Sequence, residues 1–372
     1  MAIKNDGNFR RVRRARKAVL LGVLLFAVCQ MAMLALVEIR SPLYADPEYG
    51  FRLERLRTLR HQYPNRPSLV VLGSSRIGNG FESDYATRLG VDDMNRQAPT
   101  VANMSLTGGT GFWEYLMLKR LIYNGLKPDS IIVEILPASL LGDQQFFTES
   151  YHFPVHRLRY ADLVSLDLIM PELAPRHRQE WIRNNLLFPW HTHRFSLVGL
   201  CSSKWQVEPN CPRNAPEVWR QILSPTGWIA FGVASPTAEQ RVEAEALAKK
   251  SYEAALVSLD VCGESKKIYK AIFRCCKENN IQVAAVVLMP ESAKFRSWYT
   301  QQAEEKIAQF VQSITDDFGI KVVNARKWIP DDQFWDGHHL LPSGAEQFTM
   351  RICKELITEP LQASRPNVSA MR

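Results

Sequence analysis

The sequence predicts an α/β fold in which helices cover both faces of a five-stranded parallel sheet. Each predicted strand is a short, continuous apolar run between turn residues, which is typical of strands buried on both faces. These runs alternate with helical stretches, and such alternation indicates parallel strands joined by crossover helices. The predicted strands span residues 69–72, 101–103, 130–136, 281–288 and 320–324.

The helices are predicted from apolar residues that recur every three or four positions. Residues 140–235 break this rhythm with many prolines, and we interpret them as an insertion into one domain that spans residues 68–360. A lead-in segment at 38–67 precedes this domain, and the tail at 361–372 is predicted to be disordered. The predicted helices span residues 46–62, 112–123, 237–259, 264–279, 294–318 and 342–357.

The N-terminus combines a basic tail with an apolar segment. The net charge is +8, and residues 1–17 hold seven Lys and Arg against one Asp, so the body beyond them is almost neutral. A nucleic-acid-binding protein would carry a basic face on its folded part, so that class is excluded. Residues 18–37 have no charged side chain, and a run of this length matches the bilayer core.

We interpret residues 18–37 as an uncleaved, single-pass anchor in the cell membrane. Because Arg and Lys precede it, the N-terminus is predicted to be cytoplasmic and the body periplasmic or extracellular. A cleaved signal peptide is the alternative, although its apolar core is usually shorter. In an exported body, Cys201 and Cys211 are predicted to form a disulfide across a short loop. Cysteine and histidine spacings indicate no zinc site, and no metal or cofactor is predicted.

Two short motifs at opposite ends of the body carry the candidate chemistry. Gly-Ser-Ser at 73–75 follows the first predicted strand, and Asp-x-x-His at 336–339 follows the last. A glycine-rich turn that contains Gly108 follows the second strand. Active sites of parallel sheets lie beyond the carboxyl ends of the strands, so these loops are expected to meet in one site.

These residue types are the parts of a serine hydrolase. A serine hydroxyl needs a base to take its proton, and a carboxylate orients that base. We assign the nucleophile to Ser75, the base to His339 and the orienting acid to Asp336. The backbone N–H groups of Ser75 and Gly108 are the candidate donors to the oxyanion. The alternatives are Ser74 as nucleophile and His338 as base.

The motifs resemble those of the SGNH (GDSL-type) esterase superfamily. Residues 73–75 resemble its first block, with Ser74 in place of Asp, and Gly108 matches the oxyanion glycine of its second block. Residues 336–339 match its fifth block. Residues 137–139, Pro-Ala-Ser, stand where the third block, Gly-x-Asn-Asp, is expected, so the oxyanion asparagine of the family is missing. The resemblance implies a three-layer α/β/α SGNH (flavodoxin-like) fold.

Within that superfamily, the layout is similar to membrane-anchored members that acylate cell-surface polymers, of the DltD-like and polysaccharide O-acetylation type. This implies a serine esterase or O-acyltransferase that acts on acyl esters, foremost acetyl esters, of a cell-envelope polysaccharide. A membrane-bound O-acyltransferase is the implied partner. The sequence does not choose between esterase and transferase, because both use an acyl-serine. A non-catalytic scaffold in a polysaccharide assembly complex is the alternative, since the asparagine is missing.

Further residues are candidates for substrate binding because they lie near the motifs in the sequence. Arg76, Asn103 and Glu134 are the candidates at the ends of the strands. The insertion contributes aromatic and basic residues that are candidates for lining a glycan groove, namely Trp181, Trp190, His191, His193 and Arg194.

Overall fold

The computed structural model describes residues 6–40, 42–92, 98–140, 154–194, 198 and 216–358. Its strands are β1 (Ser68–Leu72), β2 (Thr100–Asn103), β3 (Ser130–Ile135), β4 (Gln282–Leu288) and β5 (Val322–Asn324). They form one all-parallel sheet in the order β2-β1-β3-β4-β5. The predicted α/β class and five-stranded parallel sheet are therefore confirmed. The strand order reverses its direction at β1, between β2 and β3, and such a switch point is where doubly wound sheets bind ligands.

The helices follow in chain order. They are α1 (Asp6–Ala35), α2 (Pro42–Ala45), α3 (Pro47–Gln62), α4 (Ser75–Gly80), α5 (Ser83–Asp92), α6 (Gly111–Tyr123), α7 (Tyr160–Ile169), α8 (Ala174–Trp181), α9 (Pro189–Thr192), α10 (Pro216–Ile222), α11 (Ala238–Val257), α12 (Gly263–Glu278), α13 (Ala293–Arg296), α14 (Gln301–Phe318) and α15 (Pro342–Cys353). Wider π-turns follow α1, α8 and α15, at Leu36–Arg40, Ile182–Leu187 and Lys354–Thr358.

The sheet has an apolar core on each face. Along β1, Val70 and Leu72 contribute to the core shared with α3, α6, α12 and α14. Leu69 and Val71 point the other way, into the core shared with α4, α5 and α15. Full burial of such a side chain stabilises the fold by roughly 1.5–3 kcal/mol. Burial on both faces is the reason that the strands appear in the sequence as unbroken apolar runs.

The helix predicted at 294–318 is wrong as a single element. The structure divides it into α13 and α14, with a break before Thr300. Thr300 is the N-cap of α14, and its hydroxyl accepts the N–H of Ala303 at 3.1 Å. A capping hydroxyl satisfies a backbone donor that a new helix leaves open, so the cap starts a second helix where periodicity alone indicates a continuous one.

The N-terminal segment contains a helix, Arg11–Glu38, that is long and apolar enough to cross a membrane. The prediction of one such segment is confirmed, while its orientation and compartment stay predictions. The predicted Cys201–Cys211 bridge and the predicted disordered tail at 361–372 lie outside the described residues.

Candidate active site

The turn after β1 places two serines in different environments. Ser74 is the N-cap of α4, and its hydroxyl accepts the N–H of Arg76 at 3.1 Å. Ser75 is the first residue of α4 and lines a cavity at the carboxyl end of the sheet. A Cβ atom on Gly73 would lie 2.5 Å from the Glu134 carboxylate, so the tight approach of this turn to β3 requires glycine.

The structure brings Ser75, His339 and Asp336 together in one hydrogen-bonded chain. The Ser75 Oγ lies 2.8 Å from His339 Nε2, and His339 Nδ1 lies 2.7 Å from Asp336 Oδ2. A carboxylate on Nδ1 holds the imidazole in the tautomer whose Nε2 can accept the serine proton. The geometry favours Ser75 over Ser74, because the Ser74 hydroxyl caps a helix and does not contact His339.

The loop that carries Asp336 and His339 is held by its own hydrogen bonds. An isolated antiparallel bridge joins Phe334 to Leu340, and Asp336 Oδ1 accepts the N–H of His339 at 2.8 Å. Gly337 has a φ of +91°, a value that L side chains rarely adopt, which explains a glycine between the two functional residues. Burial alone would raise the pKa of Asp336. The His338 and His339 rings and the N–H of His339 instead hold this pKa well below its usual range.

His338 occupies a different environment from its neighbour. Its ring lies between Tyr252 and Phe295, with centroid distances of 4.8 and 5.0 Å. Burial lowers the pKa of His338 to about 3, although Asp336 opposes this, so the ring is neutral at physiological pH. Asp336, His338 and His339 also bring ligand atoms within 4.8 Å of one another, as a metal site does. Both Asp336 oxygens already accept hydrogen bonds, however, and His339 Nε2 faces Ser75, so we assign these groups to the serine chain.

The glycine-rich turn after β2 runs beside the serine turn. The N–H of Leu106 donates to Gly73 O at 2.8 Å, and a Cβ atom on Gly109 would lie 3.0 Å from the same oxygen. Gly108 lies between these two contacts. Among the described residues, the N–H groups of Ser75 and Gly108 have no acceptor. They therefore stay available for an oxyanion.

The segment after β3 does not supply a replacement for the missing asparagine. Pro137–Leu140 is a buried 3-10 turn, and Ser139 Oγ donates back to Leu136 O at 2.8 Å. None of its residues lines the cavity beside Ser75. The polar side chains that do line it are Arg52, Asn79, Ser105 and Thr107.

The cavity has a volume of about 260 Å³ and an apolar wall that sequence reasoning missed. Val218, Trp219 and Ile222 of α10 and the nearby Ile229 form this wall. Their segment belongs to the proline-rich insertion, where no periodic pattern indicates a role. The one signal in the sequence is the short stretch of apolar residues at 216–222. A stretch of this length does not show whether its side chains line a cavity or pack in the core.

Residues 224–231 hold one side of the cavity in place. Asn79 Nδ2 donates to Ile229 O at 2.9 Å, and the Arg52 guanidinium donates to Gly227 O. Phe231 stacks on His339, with ring centroids 6.0 Å apart. Burial lowers the pKa of Arg52 to about 10, and Glu48 opposes this, so the cavity is lined by a cation.

Two of the candidate binding residues support the fold instead of lining the cavity. Arg76 is buried, 3.2 Å from Glu291, and donates to the carbonyls of Met289 and Pro290. The Asn103 amide donates to two carbonyls of the α4 region, and its oxygen accepts from Ser105. Neither side chain is in the cavity wall. Arg76 and Asn103 therefore hold the fold around α4 and are not placed to bind a ligand in this cavity.

The insertion residues named as glycan candidates also lie elsewhere. Trp181 is buried and donates its indole N–H to Leu158 O at 2.9 Å, and His193 contacts Asn185. Trp190 and His191 are exposed and contact each other, while Arg194 donates to His191 O. None of the five lines the cavity beside Ser75.

Glu134 is the third candidate binding residue, and it lies behind the serine turn. Its Oε2 accepts the N–H of Ser74 at 2.7 Å, while its Oε1 has no partner among the described residues. Glu114 of α6 is buried next to it, and Oε2 of Glu114 is unpartnered as well. Burial raises the pKa of both carboxyls, and Glu134 raises that of Glu114 further. Glu134 thus supports the backbone that presents Ser75.

Replacing Glu114 by Gln is expected to change how stability depends on pH. The folded pKa of Glu114 lies well above 4.5, so the folded protein keeps a proton that the unfolded chain releases above that pH. The wild type therefore loses stability as pH rises from 4.5 through the folded pKa, by up to about 1.4 kcal/mol per pH unit. Glu114→Gln lacks this loss. The unfolding free energy of the variant, relative to that of the wild type, should therefore increase between pH 5 and pH 8.

Urea denaturation of the two proteins at several pH values measures this difference. Glu278→Gln, on the exposed side of α12, is the matched control for the amide substitution. A constant difference between wild type and Glu114→Gln from pH 5 to pH 8 would show that Glu114 is ionised in the folded protein.

Comparison with known proteins gives a family but no activity. No curated protein matches the chain. A family model described as "Protein of unknown function (DUF1574)" matches residues 51–356, which include β1 to β5 and every residue of the serine chain. Because the match covers well over half of its length, this chain belongs to the DUF1574 family.

Proposed function

We propose that this protein is a membrane-anchored serine esterase or O-acyltransferase of the SGNH type. The observation that carries the proposal is the continuous chain from Ser75 Oγ through His339 to Asp336, with links of 2.8 and 2.7 Å. The sequence motifs that resemble the SGNH superfamily support it. The strand order with its switch point at β1 supports it too, since the serine follows that strand.

The proposed reaction begins with attack on an acyl ester. Ser75 Oγ forms a bond to the ester carbonyl carbon while its proton passes to His339 Nε2. The carbonyl oxygen becomes an oxyanion, and in this proposal the N–H groups of Ser75 and Gly108 donate hydrogen bonds to it. The C–O bond to the alcohol then breaks, and the alcohol leaves with the proton from His339. Asp336 stabilises the imidazolium in the meantime.

The second half of the proposed reaction removes the acyl group from Ser75. A hydroxyl group gives its proton to His339 and attacks the acyl carbon, and the bond to Ser75 Oγ breaks as the serine regains a proton. Water as acceptor makes the protein an esterase, and a sugar hydroxyl makes it a transferase. We propose an acyl ester, foremost an acetyl ester, of a cell-envelope polysaccharide as substrate. The resemblance to membrane-anchored polymer-acylating proteins supports this choice, and so does the candidate anchor helix.

A serine-reactive fluorophosphonate tests the proposal on the detergent-solubilised full chain. Ser75 is expected to displace fluoride and form one covalent adduct, which intact mass spectrometry detects. Ser75→Ala and His339→Ala should both lose the adduct. Ser74→Ala is the matched control, because it removes a helix cap at a cost of about 1 kcal/mol and leaves the nucleophile in place. A wild-type chain that folds but forms no adduct would favour the scaffold alternative.

A further inference from the structure

One side of the anchor is covered by the body at its C-terminal end. Gln30 and Val37 are buried, and Met33 and Leu34 between them are partly buried. This spacing of three and four residues defines a single face of the helix. The π-turn Ile182–Leu187 and helix α9, both from the insertion, contact α1. The insertion is therefore attached to the anchor itself.

The contact lies within the segment predicted to be inside the bilayer. The uncharged run ends at Val37, and Gln30 precedes that residue by about 10 Å along the helix axis. A hydrocarbon core is about 30 Å thick, so residues 30–37 occupy the third of it that is nearest the body. Elements packed beside these residues lie at the same depth. In addition, the N–H of Tyr160 donates to Glu38 at 3.2 Å, which places the start of α7 at the end of the anchor.

The elements at this end of the anchor expose apolar side chains. Ile182, Leu187, Phe188 and Trp190 are exposed around the π-turn and α9, Trp190 by 46%. On α7, the exposed residues Tyr160, Val164 and Leu168 follow one another at four-residue intervals, and Leu168 is 77% exposed. A surface helix in water presents polar side chains on that face.

Helix α8, which lies between these elements in the chain, behaves differently. Its exposed residues include Arg176, Arg178 and Gln179, and Arg178 pairs with Asp167 at the surface. Across α7 to α9, exposed apolar side chains therefore occur on the elements that lie at the end of the anchor, whereas α8 exposes polar ones. Tyr and Trp at the edge of this surface are residue types enriched where a bilayer meets water.

We propose that these exposed residues form a surface that is embedded in the lipid bilayer beside the anchor. We call this surface, made of Tyr160, Val164, Leu168, Ile182, Leu187, Phe188 and Trp190, the apolar insert face. Lipid is the occupant that the depth of the contact with α1 requires, because any group beside residues 30–37 faces acyl chains on its open side. The face holds the body at a fixed orientation to the membrane. This inference does not depend on the proposed reaction.

Quenching of tryptophan fluorescence by brominated lipids tests the proposal. The anchor at 18–37 contains no tryptophan, so quenched emission does not come from the anchor itself. The full chain is reconstituted in phosphatidylcholine vesicles with and without bromine on the acyl chains. Part of the wild-type emission should be quenched, and this quenched part should decrease in Trp190→Phe. Trp328→Phe is the control, because Trp328 is partly buried against the core beneath α15 and its loss should leave the quenching unchanged.

Two results would overturn the proposal. One is an absence of quenching in the wild type, and the other is quenching of equal size in Trp190→Phe. In either case, cross-linking in the same vesicles asks whether a second copy covers the face. A dimer that Phe188→Glu disperses would assign the surface to self-association, not to lipid.

Discussion

Replacing His339 by Ala is expected to lower the hydrolysis of an activated acyl ester by roughly 10⁴- to 10⁶-fold. The Ser75 hydroxyl lies 2.8 Å from His339 Nε2, and within the described residues it has no other hydrogen-bond partner. Without the ring, the hydroxyl keeps its proton and is a poor nucleophile. The measurement is kcat/KM for p-nitrophenyl acetate on the solubilised full chain.

Three further variants show whether the residues act as one unit. Asp336→Asn should cost about 10⁴-fold, since an amide in place of the carboxylate favours the wrong tautomer of His339. The double variant Ser75→Ala with His339→Ala should be no slower than either single variant, because each alone removes the whole chain of proton transfer. His61→Ala, an exposed histidine at the end of α3, controls for the substitution type. Activity of His339→Ala within tenfold of wild type would remove His339 from the mechanism.

The serine chain could be predicted because its residues stand at places that the topology dictates. Ser75, Gly108 and Asp336 each follow a strand that is recognisable as an apolar run, and parallel strands bring their carboxyl ends to one edge. The Gly-Ser-Ser motif leaves Ser74 as an alternative nucleophile to Ser75, and the two adjacent histidines leave His338 as an alternative base to His339. That choice depends on Ser74 capping α4 and on the burial of His338 between aromatic rings.

The cavity could not be predicted, because its walls come from segments without local signals. Arg52 belongs to the helix before the first strand, and Trp219 lies in the proline-rich insertion. They meet only through contacts between residues more than a hundred positions apart, such as Arg52 with the carbonyl of Gly227. For Arg76, in contrast, the sequence indicates a role that the structure does not support. Its position directly after Ser75 indicates a role at the site, yet the start of α4 directs its side chain toward Glu291 in the interior.

Replacing Arg120 by Met is expected to lower the unfolding free energy by about 3–5 kcal/mol. Arg120 of α6 is buried and pairs with Asp162 at 2.6 Å and with Asp46 at 3.0 Å. Burial alone would raise the pKa of Asp46, but Arg157 and Arg120 together hold it below its usual value. Met fills a similar volume, yet it removes the cation that pairs with the buried Asp162 carboxylate.

Two further variants show whether the buried charges cause this loss of stability. Arg178→Met removes a partner from the exposed pair with Asp167, and it should cost no more than about 1 kcal/mol. Arg120→Met combined with Asp162→Asn should recover part of the loss, because the second change removes the uncompensated charge. Guanidinium denaturation of the solubilised chains measures all three. Equal losses for Arg120→Met and Arg178→Met, or no recovery in the double variant, would show that the buried charges do not hold α6 and α7 together.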